Sequence, residues 1–218
     1  MTNSVEINTK KKKGNIKYFL FLILLIFILL SKAIFFEFYR VNSVSMMDTL
    51  LPNDFVLINK LSYGAKTPNK VTIPFINFTF GLPSFRFPAV NEIEIGDIIV
   101  IDKQLPTRPE KYIKRCVAGA GQTIEIKNGE VLVNGMLVEI YNDKVSTFFS
   151  KDQIEDVPPF IVPLGFIFVL GDNRGLSYDS RSFGLVEAKD VIVKAFIIYS
   201  SIDGNGDFRW SRFFRGVE

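Results

Sequence analysis

Two Asn-Gly dipeptides, Asn128-Gly129 and Asn134-Gly135, limit what this chain can fold into more than any other feature. Each separates short strand-like runs: Ile124-Glu-Ile-Lys127, Glu130-Val-Leu-Val133 and Met136-Leu-Val138. Asn and Gly accept positive φ at both central positions of a type I′ turn, whose twist matches that of paired strands. The spacing therefore predicts a three-stranded meander between Thr123 and Val138. Shorter signals of the same kind are Phe55-Val-Leu-Ile58 after Pro52-Asn53-Asp54, and Ile98-Ile-Val-Ile101 after Gly96-Asp97. Beyond residue 40 the expected class is mostly β, in antiparallel sheets, with no long helix.

The N-terminus obeys different rules. Lys10 to Lys13 and Lys17 stand against Glu6, a net of +4, while the whole chain carries only +3. The remainder is thus close to neutral at −1, and a basic nucleic-acid-binding face is not indicated. Tyr18 to Leu30 is a run of thirteen residues without a charge, and counting on to Phe36 gives nineteen. That approaches the roughly 20 needed to span a bilayer. Lys32 sits where it can snorkel to headgroups. Positive charge on the N-terminal side places a tail, 1–17, in the cytoplasm and residues 37–218 outside, with a transmembrane helix over 18–36. A cleavable leader ending at Ala33 suits the same layout; Lys32 beside the cleavage position favours the anchor.

Residues 66–90 mix Pro68, Pro74, Pro83 and Pro88 with Phe75, Phe78, Phe80, Phe85 and Phe87, so long regular strands are not expected there. Burial of these Phe over the core is the favoured reading, and contact with lipid the alternative. Residues 139–160 turn polar, and an inserted cap subdomain is expected over 136–165. The run Gly171-Asp-Asn-Arg-Gly-Leu-Ser-Tyr-Asp-Ser-Arg-Ser-Phe-Gly184 lies between apolar segments 166–170 and 191–199. It reads either as a solvated turn or as a network of paired charges held against the core.

Absences narrow the chemistry. The chain has no His and a single Cys, Cys116. A Ser-His-Asp triad, a Cys-His dyad, His-ligated zinc and intrachain disulfides are all excluded. Any base for covalent cleavage must be Lys, Asp or Glu. Cys116, in a Val-rich setting, reads as a small core residue.

Val41-Asn-Ser-Val-Ser-Met-Met-Asp-Thr-Leu50 follows the apolar segment, and Tyr112-Ile-Lys-Arg-Cys-Val-Ala-Gly-Ala-Gly121 places Lys114 inside an apolar strand. Together with 171–184, and in this order, these segments resemble the boxes of bacterial type I signal peptidases. The first matches Ser-x-Ser-Met-x-Pro-Thr-Leu except at Asp48. The second matches the Lys-Arg box with Ala120 for Pro and Gln122 for Asp. The third matches Gly-Asp-Asn-Arg-Asp-Asn-Ser-x-Asp-Ser-Arg except at Gly175 and Leu176. Gly96-Asp97-Ile98-Ile99-Val100 resembles a fourth, weaker box.

The resemblance implies a membrane-anchored serine endopeptidase, built of twisted antiparallel β-sheets with an inserted β region, that removes signal peptides from exported preproteins. Ser45 would be the nucleophile and Lys114 the general base. Ser43 would donate to the oxyanion hole, and Ser177 would orient the Lys114 amine. Asp179 and Arg181 would pair beneath it. No metal or organic cofactor is implied; the partners would be preproteins and the phospholipid bilayer, with no nucleic acid. A Lys at its usual pKa of about 10.4 is almost wholly charged at pH 7, so burial must lower it. Arg115, next along the strand, is expected to point away and remain solvated. Two alternatives are a self-cleaving Ser-Lys protease of the repressor type and a secreted, non-enzymatic β-sandwich binding protein.

Overall fold

The structure, a computed structural model, describes residues 16–25, 36–59, 63, 70–73, 78–81, 83, 91–105, 108–138 and 155–217. The expectations for the apolar segment beyond residue 25, for the burial of the Phe side chains between 75 and 87, and for the polar stretch 139–154 lie outside the residues and side chains described. Helix α1 covers 16–25. Among the described residues no helix is long and apolar enough to cross a membrane. The expected helix boundary at Phe36 is corrected: Phe36 opens a strand and pairs with Asn59.

The strands run in chain order as β1 (Phe36–Arg40), β2 (Asp54–Asn59), β3 (Lys70–Ile73), β4 (Phe78–Gly81), β5 (Ile98–Leu105), β6 (Arg108–Ala118) and β7 (Thr123–Lys127). They continue as β8 (Glu130–Val133), β9 (Met136–Leu137), β10 (Val157–Ile161), β11 (Phe166–Leu170), β12 (Val186–Glu187), β13 (Val191–Ser201) and β14 (Arg215–Gly216), with a one-turn helix α2 (Ser180–Phe183) between β11 and β12. An eight-stranded antiparallel sheet has the order β1-β2-β13-β5-β6-β11-β12, with β14 added on β13. A four-stranded sheet, β10-β7-β8-β9, and the hairpin β3-β4 complete the set.

The continuous apolar run of β5 has a direct cause. Ile98 and Val100 pack with Met46, Leu50 and Val56, while Ile99 and Ile101 pack with Cys116, Val169 and Val191 in a second core. A strand covered on both faces needs no polar alternation. The third core joins the two sheets, through Val117, Ala118, Phe168 and Leu170 from the large one and Ile124, Ile126 and Val131 from the small one. Cys116 is a buried thiol in this packing, as expected, and burial pushes its pKa up to about 12.

The meander forms as the Asn-Gly turns require. Asn128, Gly129, Asn134 and Gly135 have φ of 51°, 75°, 53° and 75°, the type I′ signature. The cap boundary is corrected. The second sheet begins at Thr123, and the described ends of the span 136–165 add its two outer strands, β9 and β10. The inserted β region is therefore built around the meander itself.

Candidate active site

Ser45 sits in a tight turn after β1, and Lys114 on β6, sixty-nine positions later. The turn forms because Met47 N–H bonds Val44 O and Leu50 N–H bonds Met46 O, while Met46 and Leu50 plug into the core beneath. Lys114 Nζ donates to Ser45 Oγ at 2.6 Å and to Ile113 O at 3.0 Å. Ser45 is 5% exposed and Lys114 3%. Burial, which penalises the ammonium, lowers the Lys114 pKa to about 8; the Asp179 and Asp172 carboxylates favour the charged form and offset this only in part. With the amine neutral, the same short contact lets the hydroxyl donate to nitrogen, as base-assisted attack requires.

Ser43 stands where its hydroxyl accepts the Ser45 N–H at 3.1 Å. Ser43 and Ser45 line a cleft of about 620 Å³. Val41, Met46, Ile113 and Leu176 give it an apolar side, while Asn42, Ser43, Lys111 and Lys114 make the rest of the lining polar. Tyr39, from β1, carried no motif signal. It enters the lining because β1 leads directly into the Ser45 turn and its hydroxyl donates to Lys111 O at 3.2 Å.

The 171–184 loop is the paired network, not the solvated turn. Asp179 is fully buried; its carboxylate accepts from Gly171 N at 3.0 Å and takes both Arg181 Nε and Nη2 at 2.8 Å. Arg181 then closes the loop onto Arg174 O at 2.7 Å. Ser177 departs from expectation. Its Oγ is buried yet makes no hydrogen bond to Lys114 or to any other described residue. Ser177 instead crowds Gly171, where an added Cβ would lie 2.1 Å from Ser177 Oγ and 2.5 Å from Ser45 O. Only glycine lets the end of β11 approach the Ser45 backbone this closely.

Arg115 is the second correction. It is 2% exposed, not solvated. Its Nε and Nη2 meet the two oxygens of Asp172 at 2.8 Å, and Nη1 reaches Gly96 O at 2.8 Å. Alternation predicted a wet face, but the Ser45 turn and the 171–184 loop cover that face of β6. Asp172 also accepts from Thr49 Oγ1 at 2.5 Å, so one carboxylate ties the lysine strand to the serine turn. Asp54, likewise buried, holds Arg212, whose Nη2 bonds Thr49 O at 2.8 Å. These braces escaped sequence reading although Asp172 and Arg115 both lie in the quoted boxes. The available signal was that charges flanked by core strands must pair.

The departures from the family boxes have local explanations. Asp48 has φ 90°, which a proline ring forbids, so this turn bends as the family's Pro could not. Gln122 Oε1 accepts from Gly119 N at 2.8 Å and closes the turn between β6 and β7. Gly175 and Leu176 occupy an exposed 3-10 turn. Among the described residues no His, Cys, Asp or Glu group could hold a metal ion.

Comparison with known proteins gives a consistent picture. A family model described as signal peptidase, peptidase S26, matches residues 15–200. Signal peptidase I P of Bacillus subtilis subsp. natto is 29% identical, over 89% of this chain and 94% of its own length. Signal peptidase I of Bacillus amyloliquefaciens is 31% identical, over 75% of this chain and 74% of its own. Signal peptidase I of Pseudomonas aeruginosa is 27% identical, over 81% and 69% respectively.

Proposed function

Since this chain belongs to the signal peptidase family, peptidase S26, and is a serine peptidase that removes signal peptides, we propose that Ser45 and Lys114 carry its chemistry. The observation supporting the assignment is the 2.6 Å contact between a buried amine and a buried hydroxyl at the wall of a cleft. Neutral Lys114 takes the Ser45 proton as Oγ attacks the scissile carbonyl. The carbonyl oxygen, now an oxyanion, takes over the Ser45 N–H from Ser43 Oγ, and the freed Ser43 hydroxyl turns to donate to it. Lys114 then passes its proton to the departing amine, leaving the signal peptide esterified to Ser45. A water deprotonated by Lys114 hydrolyses the ester and restores the serine. One such oxyanion donor contributes about 3–4 kcal/mol to the transition state. Asp179 and Arg181 hold the loop behind the amine, and Ser177 packs there, its unbonded hydroxyl within the same buried pocket.

A pH profile tests the assignment of the base. A lysine of pKa about 8 is only about one-tenth neutral at pH 7. For a preprotein substrate, kcat/KM should rise through that pKa with the loss of one proton and level off above it. A profile that is flat from pH 6 to 9 would remove Lys114 from the role of base.

The bilayer is the proposed second partner, with 1–17 in the cytoplasm, a single anchoring helix within 18–36, and the rest on the outer side of a bacterial inner membrane. Exposed aromatics support it. Phe38 packs on Tyr199 of β13, and on the other flank of that strand Phe208, Trp210, Phe213 and Phe214 stack on one another ahead of β14. Trp210 is 71% exposed and is the chain's one Trp. Aromatic side chains of this kind favour the membrane–water interface. Trp210 emission of the full chain in vesicles should therefore be quenched by lipids brominated high on the acyl chain. Emission equal to that in unbrominated vesicles would withdraw the contact.

A further inference from the structure

We infer that Asn173 is a positioning residue that aims the Ser45 N–H at the developing oxyanion, an inference that rests on the Ser45–Lys114 reading above. Its side-chain Nδ2 donates to Val44 O at 3.1 Å, and its backbone N–H donates to Ser45 O at 3.0 Å. Val44 C=O and Ser45 N–H are opposite ends of one planar, trans peptide unit. Holding the carbonyl end fixes where the N–H end points. The second bond does the same for the peptide unit on the other side of Ser45. One residue thus pins both peptide planes that flank the nucleophile.

Met47 N–H also bonds Val44 O at 3.1 Å, but that bond lies within the turn and moves with it. Asn173 is anchored outside the turn, beside Asp172, whose carboxylate is locked to Arg115 and Thr49. It is 1% exposed, and its Oδ1 is buried with no hydrogen bond. An amide retained in a dry site for its donor alone fits a directional task better than a stabilising one. The contribution falls on the transition state, because the N–H strengthens its bond only when charge develops on the oxygen.

The test uses the full chain in detergent micelles with a preprotein substrate. Asn173→Leu keeps the shape and removes the donor; Asn173→Ala is the second variant. Both should lower kcat by about 10- to 100-fold, with KM within about twofold of wild type. The pH midpoint should stay where it is, since neither variant adds or removes a charge near Lys114. A substrate-like peptide aldehyde, whose adduct oxygen would occupy the oxyanion position, should weaken by the same factor, while the matching peptide alcohol should bind as before. The inference is overturned if kcat is unchanged, if the loss appears in KM, or if the pH midpoint moves. It is equally overturned if both variants lose their fold, which would make Asn173 a folding residue. Cleavage retained by Ser45→Ala would instead sink the underlying reading, whatever the Asn173 variants do.

Discussion

Replacing Lys114 with Met is expected to abolish cleavage and at the same time to stabilise the protein near neutral pH. Loss of a positioned base lowers the rate by about 10²–10⁴-fold, and members of a catalytic unit fail together, so Ser45→Ala and the double variant should be equally dead. The stability effect follows from the same burial that makes the lysine useful. Its folded pKa of about 8 lies below the ordinary lysine value of 10.5. Below pH 8 the native state carries a desolvated ammonium that the unfolded chain keeps in water, at a cost on the order of 3 kcal/mol. As pH rises from 8 to 10.5 the unfolded chain still holds its proton while the native state has released it, so wild-type stability should climb through that window. Met matches the length of the lysine stem, removes the charge and forfeits two hydrogen bonds of about 1 kcal/mol each. The net gain at pH 7 should be about 1 kcal/mol, and above pH 10.5, where the lysine is neutral in both states, it should reverse to a loss of about 2 kcal/mol. Urea titrations of both proteins at pH 7 and pH 10.5 give the comparison. A variant less stable than wild type at pH 7 would show that the ammonium is not strained in the fold.

Asp172→Ala should cost stability outright. Arg115 would be left buried with its bidentate partner gone, and Thr49 would lose its acceptor. Stranding one member of a buried ion pair typically costs about 3–5 kcal/mol, here a fall of roughly 10 °C in thermal midpoint. Cleavage should fall as well, because the same carboxylate ties the serine turn to the lysine strand. The double replacement Arg115→Met with Asp172→Leu removes both charges and should recover most of the stability. Calorimetry on the three proteins decides it: a midpoint for Asp172→Ala within two degrees of wild type would mean that Arg115 finds water or another partner.

The parts of this molecule legible in sequence are those whose causes are local. The meander needs only period-two strands and residues that accept positive φ, and Asn128-Gly129 and Asn134-Gly135 supply the turns in place. The proposed nucleophile and base, Ser45 and Lys114, were singled out through motif order and through the absence of His, and the fold brings the two side chains together. Arg115 was misjudged because alternation assumes one wet face, and that face is closed by segments far away in the chain. The same blindness hid the bonds of Asp54 to Arg212, Asp172 to Thr49 and Asn173 to Val44, each spanning more than a hundred positions. The Ser177 contact missed for a related reason. The motif places the serine near the amine, but the close approach of Gly171 to Ser45 O decides which way the neighbouring side chains can pack. At Phe36 apolar character could not separate helix from strand, since a short apolar run suits either.

The bonds that tie the serine turn to the rest of the fold come from residues 172, 173 and 212, against a serine at position 45. Bringing together groups separated by 129 positions costs about 4 kcal/mol of chain entropy, recovered only when the later strands have docked. Ser45 therefore leaves the ribosome long before the residues that arm it. A nascent or half-exported chain holds a serine and a lysine but no protease, and competence arrives with the last segments to fold. Timing built into topology does here what a removable inhibitory segment does in a zymogen.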